Sequence, residues 1–130
     1  MNIWELVDID ILIITLILIV LDLIFGFIGA VKEKKVNSEK LRQGLWHKSG
    51  FIGLICLGYI IEFASNRIEL GFEIPTVLGI CIYIIVTEII SIFENLCILN
   101  PNLINSPLGS IFHNVPKVEE AEKLEDEENK

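Results

Sequence analysis

Basic residues are missing where this chain is most apolar. Its ten lysines and arginines avoid three long hydrophobic runs, at about 11–31, 50–65 and 74–95. Six of them, Lys32, Lys34, Lys35, Lys40, Arg42 and Lys48, crowd into the connection between the first run and the second. That clustering leaves no basic face elsewhere and argues against a nucleic-acid partner. It also leaves no ammonium or guanidinium inside a run, so no intramembrane salt bridge is expected within one chain. Only Glu5, Asp8 and Asp10 carry charge before the first run, which exceeds the usual signal-peptide core of about 7–15 residues. A cleavable signal is therefore not expected.

Histidine and cysteine are scarce too. His47 and His113 stand far apart with no second ligand beside either, which argues against a metal site. Cys56, Cys81 and Cys97 form no CxxC pair, and their odd number argues against a disulfide framework. They read as small apolar packing residues. No Ser/His/Asp or Cys/His set appears, and no glycine-rich phosphate loop. The Gly26-Phe-Ile-Gly29 stretch lies inside an apolar run and reads as helix packing. No enzyme and no cofactor are expected.

What the chain does have is apolar length. Its 130 residues are 52% hydrophobic, and they gather into blocks rather than alternating with polar ones. A helix needs about 20 residues to cross a bilayer core of about 30 Å. Open strands are excluded, because lipid leaves backbone groups unpaired. The expected fold class is therefore an all-α membrane protein with three transmembrane helices. The second run is short, so a two-span arrangement with a re-entrant second segment is the alternative. The positive-inside rule places the basic connection in the cytoplasm, the N-terminus outside and the C-terminus inside. Trp4 and Trp46 fall near the two interfaces, where indoles settle. Pro75 suits the first turn of the third helix. Residues 1–103 form the membrane domain, and 104–130 a cytoplasmic linker with an acidic tail that buries nothing and reads as disordered. A short amphipathic piece around 108–112 is expected to touch the membrane surface.

Each hydrophobic run carries one carboxylate: Asp22, Glu62 and Glu88. At mid-membrane such a group costs roughly 2.5–3.5 kcal/mol on insertion scales. Helical spacing sets each on a small or polar stripe. Thr15, Asp22, Gly26 and Gly29 share one face; Gly58, Glu62 and Ser65 share another; Cys81, Glu88, Ser91 and Asn95 share the third. Such stripes suit close helix contact and interhelical hydrogen bonds. Asp22 is expected near mid-depth, Glu62 toward the outer side and Glu88 toward the inner side. Three roles stay open: helix or oligomer contact, pore lining, and proton-coupled transport.

The order Asp22-x-x-x-Gly26, Ala30, a lysine-rich turn, Asn37-Ser38, Gly44 and Lys48 is followed by Glu88-Ile-Ile-Ser91-Ile-Phe-Glu94-Asn95. Over 21–103 this resembles the phage-lysis and toxin-secretion holins, which include the clostridial toxin-export holins. The family usually has a glycine before a proline-containing turn; this chain has Asn100-Pro101 there. The resemblance implies a small bacterial cytoplasmic-membrane protein that accumulates, forms a homo-oligomer in the lipid bilayer and permeabilises it. It implies a functional link to an endolysin or a secreted toxin, and an antiholin as a further partner. The family positions carried over are Asp22, Gly26, Ser38, Gly44, Lys48, Glu88, Ser91, Glu94 and Asn95. The alternatives are an antiholin regulator or a small subunit of a membrane transport complex.

Overall fold

The computed structural model describes residues 3–68 and 74–113, with side chains from Asp8 to Phe112. The acidic tail and the side chains of Trp4 and His113 lie outside the described residues, so the expectations placed on them stay there. Three long helices dominate: α1 over Ile3–Lys32, α2 over Ser38–Ile68 and α3 over Thr76–Leu99. A 3₁₀ turn over Pro101–Asn105 and a short helix α4 over Pro107–His113 follow.

The helices are long enough to span a membrane: 25 residues of α1 from Asp8, 31 in α2 and 24 in α3. At about 1.5 Å per residue each exceeds a core of about 30 Å. The second helix is thus not the short one expected at 50–65. It starts twelve residues earlier, at Ser38, and takes in most of the expected basic connection. The cause is local. Asn37 Oδ1 accepts from the Glu39 N–H at 2.9 Å, and the Asn37 carbonyl accepts from the Leu41 N–H at 3.1 Å. Asn37 is therefore an N-cap, and Glu39 sits favourably in the positive first turn. Charged residues end an apolar run without ending a helix.

The turn between α1 and α2 is only 33–37. The Lys35 N–H reaches the Ala30 carbonyl at 3.0 Å and the Lys34 N–H reaches the Val31 carbonyl at 3.1 Å. These are the paired bonds of a Schellman motif. Lys34 holds the left-handed position, φ 55°, that glycine usually fills.

The helices run up, down and up, so α1 and α3 are parallel. α3 is central: it packs along most of α1 and against α2, while α1 and α2 scarcely touch. The contact stripes alternate steps of three and four: Thr15, Ile19, Asp22, Gly26 and Gly29 on α1, and Lys48, Phe51, Ile55, Gly58, Glu62 and Ser65 on α2. This is the seam of left-handed helix packing. Toward the α2–α3 connection the seam is apolar. Ile19, Phe51, Ile55, Val77, Cys81 and Ile84 form the core there, flanked by Ile11, Leu12 and Ile80. Gly58 admits α3 closely, since a Cβ there would stand 2.8 Å from Ile80 Cδ1.

Along the helices the exterior is largely apolar, as lipid requires, except toward the α1–α2 turn, where α2 exposes Glu39, Lys40, Arg42 and Ser49. Past Leu99, Asn100 and Pro101 stop α3. The α4 helix folds back so that Phe112 stacks on Phe93 at 4.6 Å, leaving Leu108 and Ile111 exposed.

Candidate functional site

Where the α1, α2 and α3 stripes meet toward the α1–α2 turn, the seam becomes polar. Lys48 is 8% exposed, Asp22 7% and Glu88 1%. The Lys48 ammonium donates to Asp22 Oδ2 at 2.6 Å and to Glu88 Oε1 at 2.6 Å, and also contacts Glu88 Oε2. Its three N–H donors are thereby used. The Asn95 amide donates to Asp22 Oδ1 at 3.1 Å. Both oxygens of both carboxylates have partners, and no buried side-chain polar atom among the described residues lacks one.

This cluster corrects the expectation that no salt bridge forms inside the membrane segments. Lys48 is not a loop residue. It lies inside α2 and faces inward because it continues the stripe of Phe51, Ile55 and Gly58. The cluster also corrects the depths. Asp22 and Glu88 share one ammonium, so they lie level with each other. The reason is that α3 runs on to Leu99, which puts Glu88 near its middle.

Small residues shape the surroundings. A Cβ on Gly26 would stand 3.5 Å from Asn95 Nδ2, and one on Gly29 3.6 Å from Ile98. Between α1 and α2 a crevice of about 220 Å³ runs from Lys35, Asn37 and Lys40 past Gly26, Ala30 and Gly44 to Asp22, Lys48 and Asn95. The cluster is thus approached from the α1–α2 turn. On its other side the apolar core closes the seam.

Glu62 stands apart from the cluster and does different work. Its Oε1 accepts from the Val77 N–H at 2.8 Å. Pro75 gives α3 no side-chain cap, so α2 supplies one. At the far end of α3, Lys32 Nζ donates to the Ile98 and Leu99 carbonyls at 2.7 and 2.9 Å. A cation at a helix C-terminus is favourable, and α3 has no basic residue of its own in its last turn. Both ends of α3 are therefore capped by other helices.

The remaining sequence candidates lie elsewhere. Ser65 is buried and donates to the Glu62 carbonyl at 2.9 Å. Thr15 is buried and donates to the Ile11 carbonyl at 2.7 Å. Ser91 is half-buried on α3 and Glu94 is exposed. Lys34 and Lys35 are exposed in the turn, Lys35 facing Glu33 at 3.8 Å, and Lys40 and Arg42 are exposed on α2. The residue that sequence reasoning misplaced is Lys48. Its signal is the unbroken three-four spacing from Lys48 to Ser65, visible once α2 is carried N-terminally to Asn37.

A model of the bacteriophage holin family matches residues 3–116. No curated protein and no solved structure matches the chain.

Proposed function

We propose that this chain, which belongs to the bacteriophage holin family, oligomerises in the bacterial cytoplasmic membrane into a lesion that lets a lytic enzyme or a large toxin leave the cell. Family membership makes it a holin-type protein of a non-enzymatic membrane family. Its three apolar helices make it a multi-pass protein of the cytoplasmic membrane. The lesion, its cargo and the oligomer are the proposal.

One observation carries the step from family to assembly. The buried ionic cluster is saturated within a single chain, so among the described residues the polar groups of the seam are already paired and the subunit acts through its exterior, which is largely apolar along the helices. A protein of this shape works through many copies. The N-terminus is assigned outside and the C-terminus to the cytoplasm, because Lys32, Lys34, Lys35, Lys40 and Arg42 gather around the α1–α2 turn.

The test is expression alone in a bacterial host, with membrane potential recorded over time. The expected result is a delayed, abrupt collapse of potential, followed by lysis when a cell-wall hydrolase is supplied in the cytoplasm. A host that holds its potential at full expression contradicts the proposal.

A further inference from the structure

We infer that α2 lines the water-filled lumen of the assembly, through the exposed face formed by Glu39, Arg42, Trp46, Ser49 and Gly53. The inference rests on the proposed lesion and assigns a surface to it. The five residues follow one another at steps of three and four, so they share one face. All five are exposed. The face lies opposite the stripe of Lys48, Phe51, Ile55 and Gly58 that packs inward.

Depth sets this face apart. The Lys48 ammonium reaches Asp22, and Gly44 and Gly26 line the same crevice toward the turn. Ser49 follows Lys48 directly on α2, and Gly53 lies about 6 Å beyond Ser49 along the helix. Near those levels α1 shows lipid Ile17 and Val20, and α3 shows Ile82, Tyr83 and Val86, each about half exposed. At the level of Ser49 and Gly53 only α2 exposes glycine and serine among the described residues; further toward the turn it exposes Arg42 and Glu39, where α3 exposes Glu94 and α1 exposes Lys32. Gly50 and Gly53 have open space around them, so this subunit covers neither.

Placing Arg42 and Glu39 against hydrocarbon is costly, and ionisable residues in membrane helices face the bundle interior or water. The interior of this bundle is already filled, because Asp22, Glu88 and Asn95 are all turned to Lys48 or to each other. The α2 face is therefore assigned to water rather than to lipid, and close packing of Ser49 and Gly53 against a neighbouring subunit is the outcome that would leave these positions unreactive in the test. The carboxylates of the seam consequently stay out of the lumen, and Arg42 and Glu39 ring the mouth at the α1–α2 turn.

The test is thiol accessibility in the assembled protein. Full-length chain with Cys56, Cys81 and Cys97 replaced by alanine is reconstituted in phosphatidylglycerol and phosphatidylethanolamine vesicles holding a fluorescent dye. A second background keeps the fully buried Cys81, in case its loss disturbs packing. Single cysteines are introduced as Ser49→Cys, Gly50→Cys and Gly53→Cys on α2, and as Ile17→Cys, Val20→Cys and Val86→Cys on the other helices. After dye release, a charged membrane-impermeant thiosulfonate is added. The α2 positions are expected to react roughly tenfold or more faster, because the hydrated thiolate is the reacting form. Release without that preference overturns the lumen assignment and leaves the holin reading standing. Vesicles that never release dye, even with the unsubstituted chain, overturn both.

Discussion

Toward the α2–α3 connection the three helices meet through Ile19, Phe51, Ile55, Val77, Cys81 and Ile84; toward the α1–α2 turn they meet through Asp22, Lys48, Glu88 and Asn95. The same three-four seam runs through both halves, so backbone geometry does not distinguish them. What differs is how each half resists alternatives. Apolar side chains in lipid gain little by leaving lipid, so Ile and Val contacts hold by packing alone and tolerate slippage. One ammonium between two carboxylates tolerates none, since a shift of one residue leaves buried charges unpaired. Buried ion clusters are weak evidence for stability but well suited to fixing register. The polar half sets which residues align, and the apolar half fills the space so defined.

The largest effect should come from breaking the polar half. Lys48→Met leaves Asp22 and Glu88 facing each other, at an expected cost of about 3–5 kcal/mol. Thermal unfolding in detergent should show that loss, and the chain should accumulate poorly. The triple variant Lys48→Met, Asp22→Leu, Glu88→Leu should recover parental stability or exceed it by about 1–4 kcal/mol. If the single and triple variants fall equally, the cluster does not act as a unit.

The apolar half should break by overfilling. Gly58→Val drives a side chain into Ile80 and Val77, at about 1–3 kcal/mol. Gly44→Ala is the contrast: its Cβ meets nothing within 4 Å, and it should gain up to about 1 kcal/mol of helix propensity. Denaturation of the two variants side by side reads the difference.

Smaller effects lie at the ends of the helices. Glu62→Leu removes the cap on the Val77 N–H and should cost about 1 kcal/mol, seen as faster amide exchange confined to the first turn of α3. Lys34→Gly relieves the left-handed residue of the α1–α2 turn and should raise stability by at most about 1 kcal/mol.

Much of this was legible in the sequence. Apolar length gave three helices, and helical spacing put Asp22, Gly26, Glu88 and Asn95 on inward faces. The partner of the carboxylates was not legible, because Lys48 lies two residues before the apolar run that marks the second segment. Hydropathy ends a helix at the first charge, whereas Asn37 and its bond to Glu39 show where α2 begins. The capping of α3 was hidden for another reason. Glu62 and Lys32 act on residues 15 and more than 60 positions away, and no local pattern carries such distances.

The central claim is that the polar seam closes within one subunit. A Cβ on Gly26 would stand 3.5 Å from Asn95 Nδ2 across it, so the double variant Gly26→Cys, Asn95→Cys in a background without other cysteines offers the most direct measurement. Oxidation in the membrane, followed by denaturing electrophoresis and intact mass, should give a monomer lighter by the two hydrogens of one disulfide. Mixing the two single variants should give no dimer. A dimer from the mixture, with no internal disulfide in the double variant, would place Asn95 and Asp22 between subunits and contradict the account.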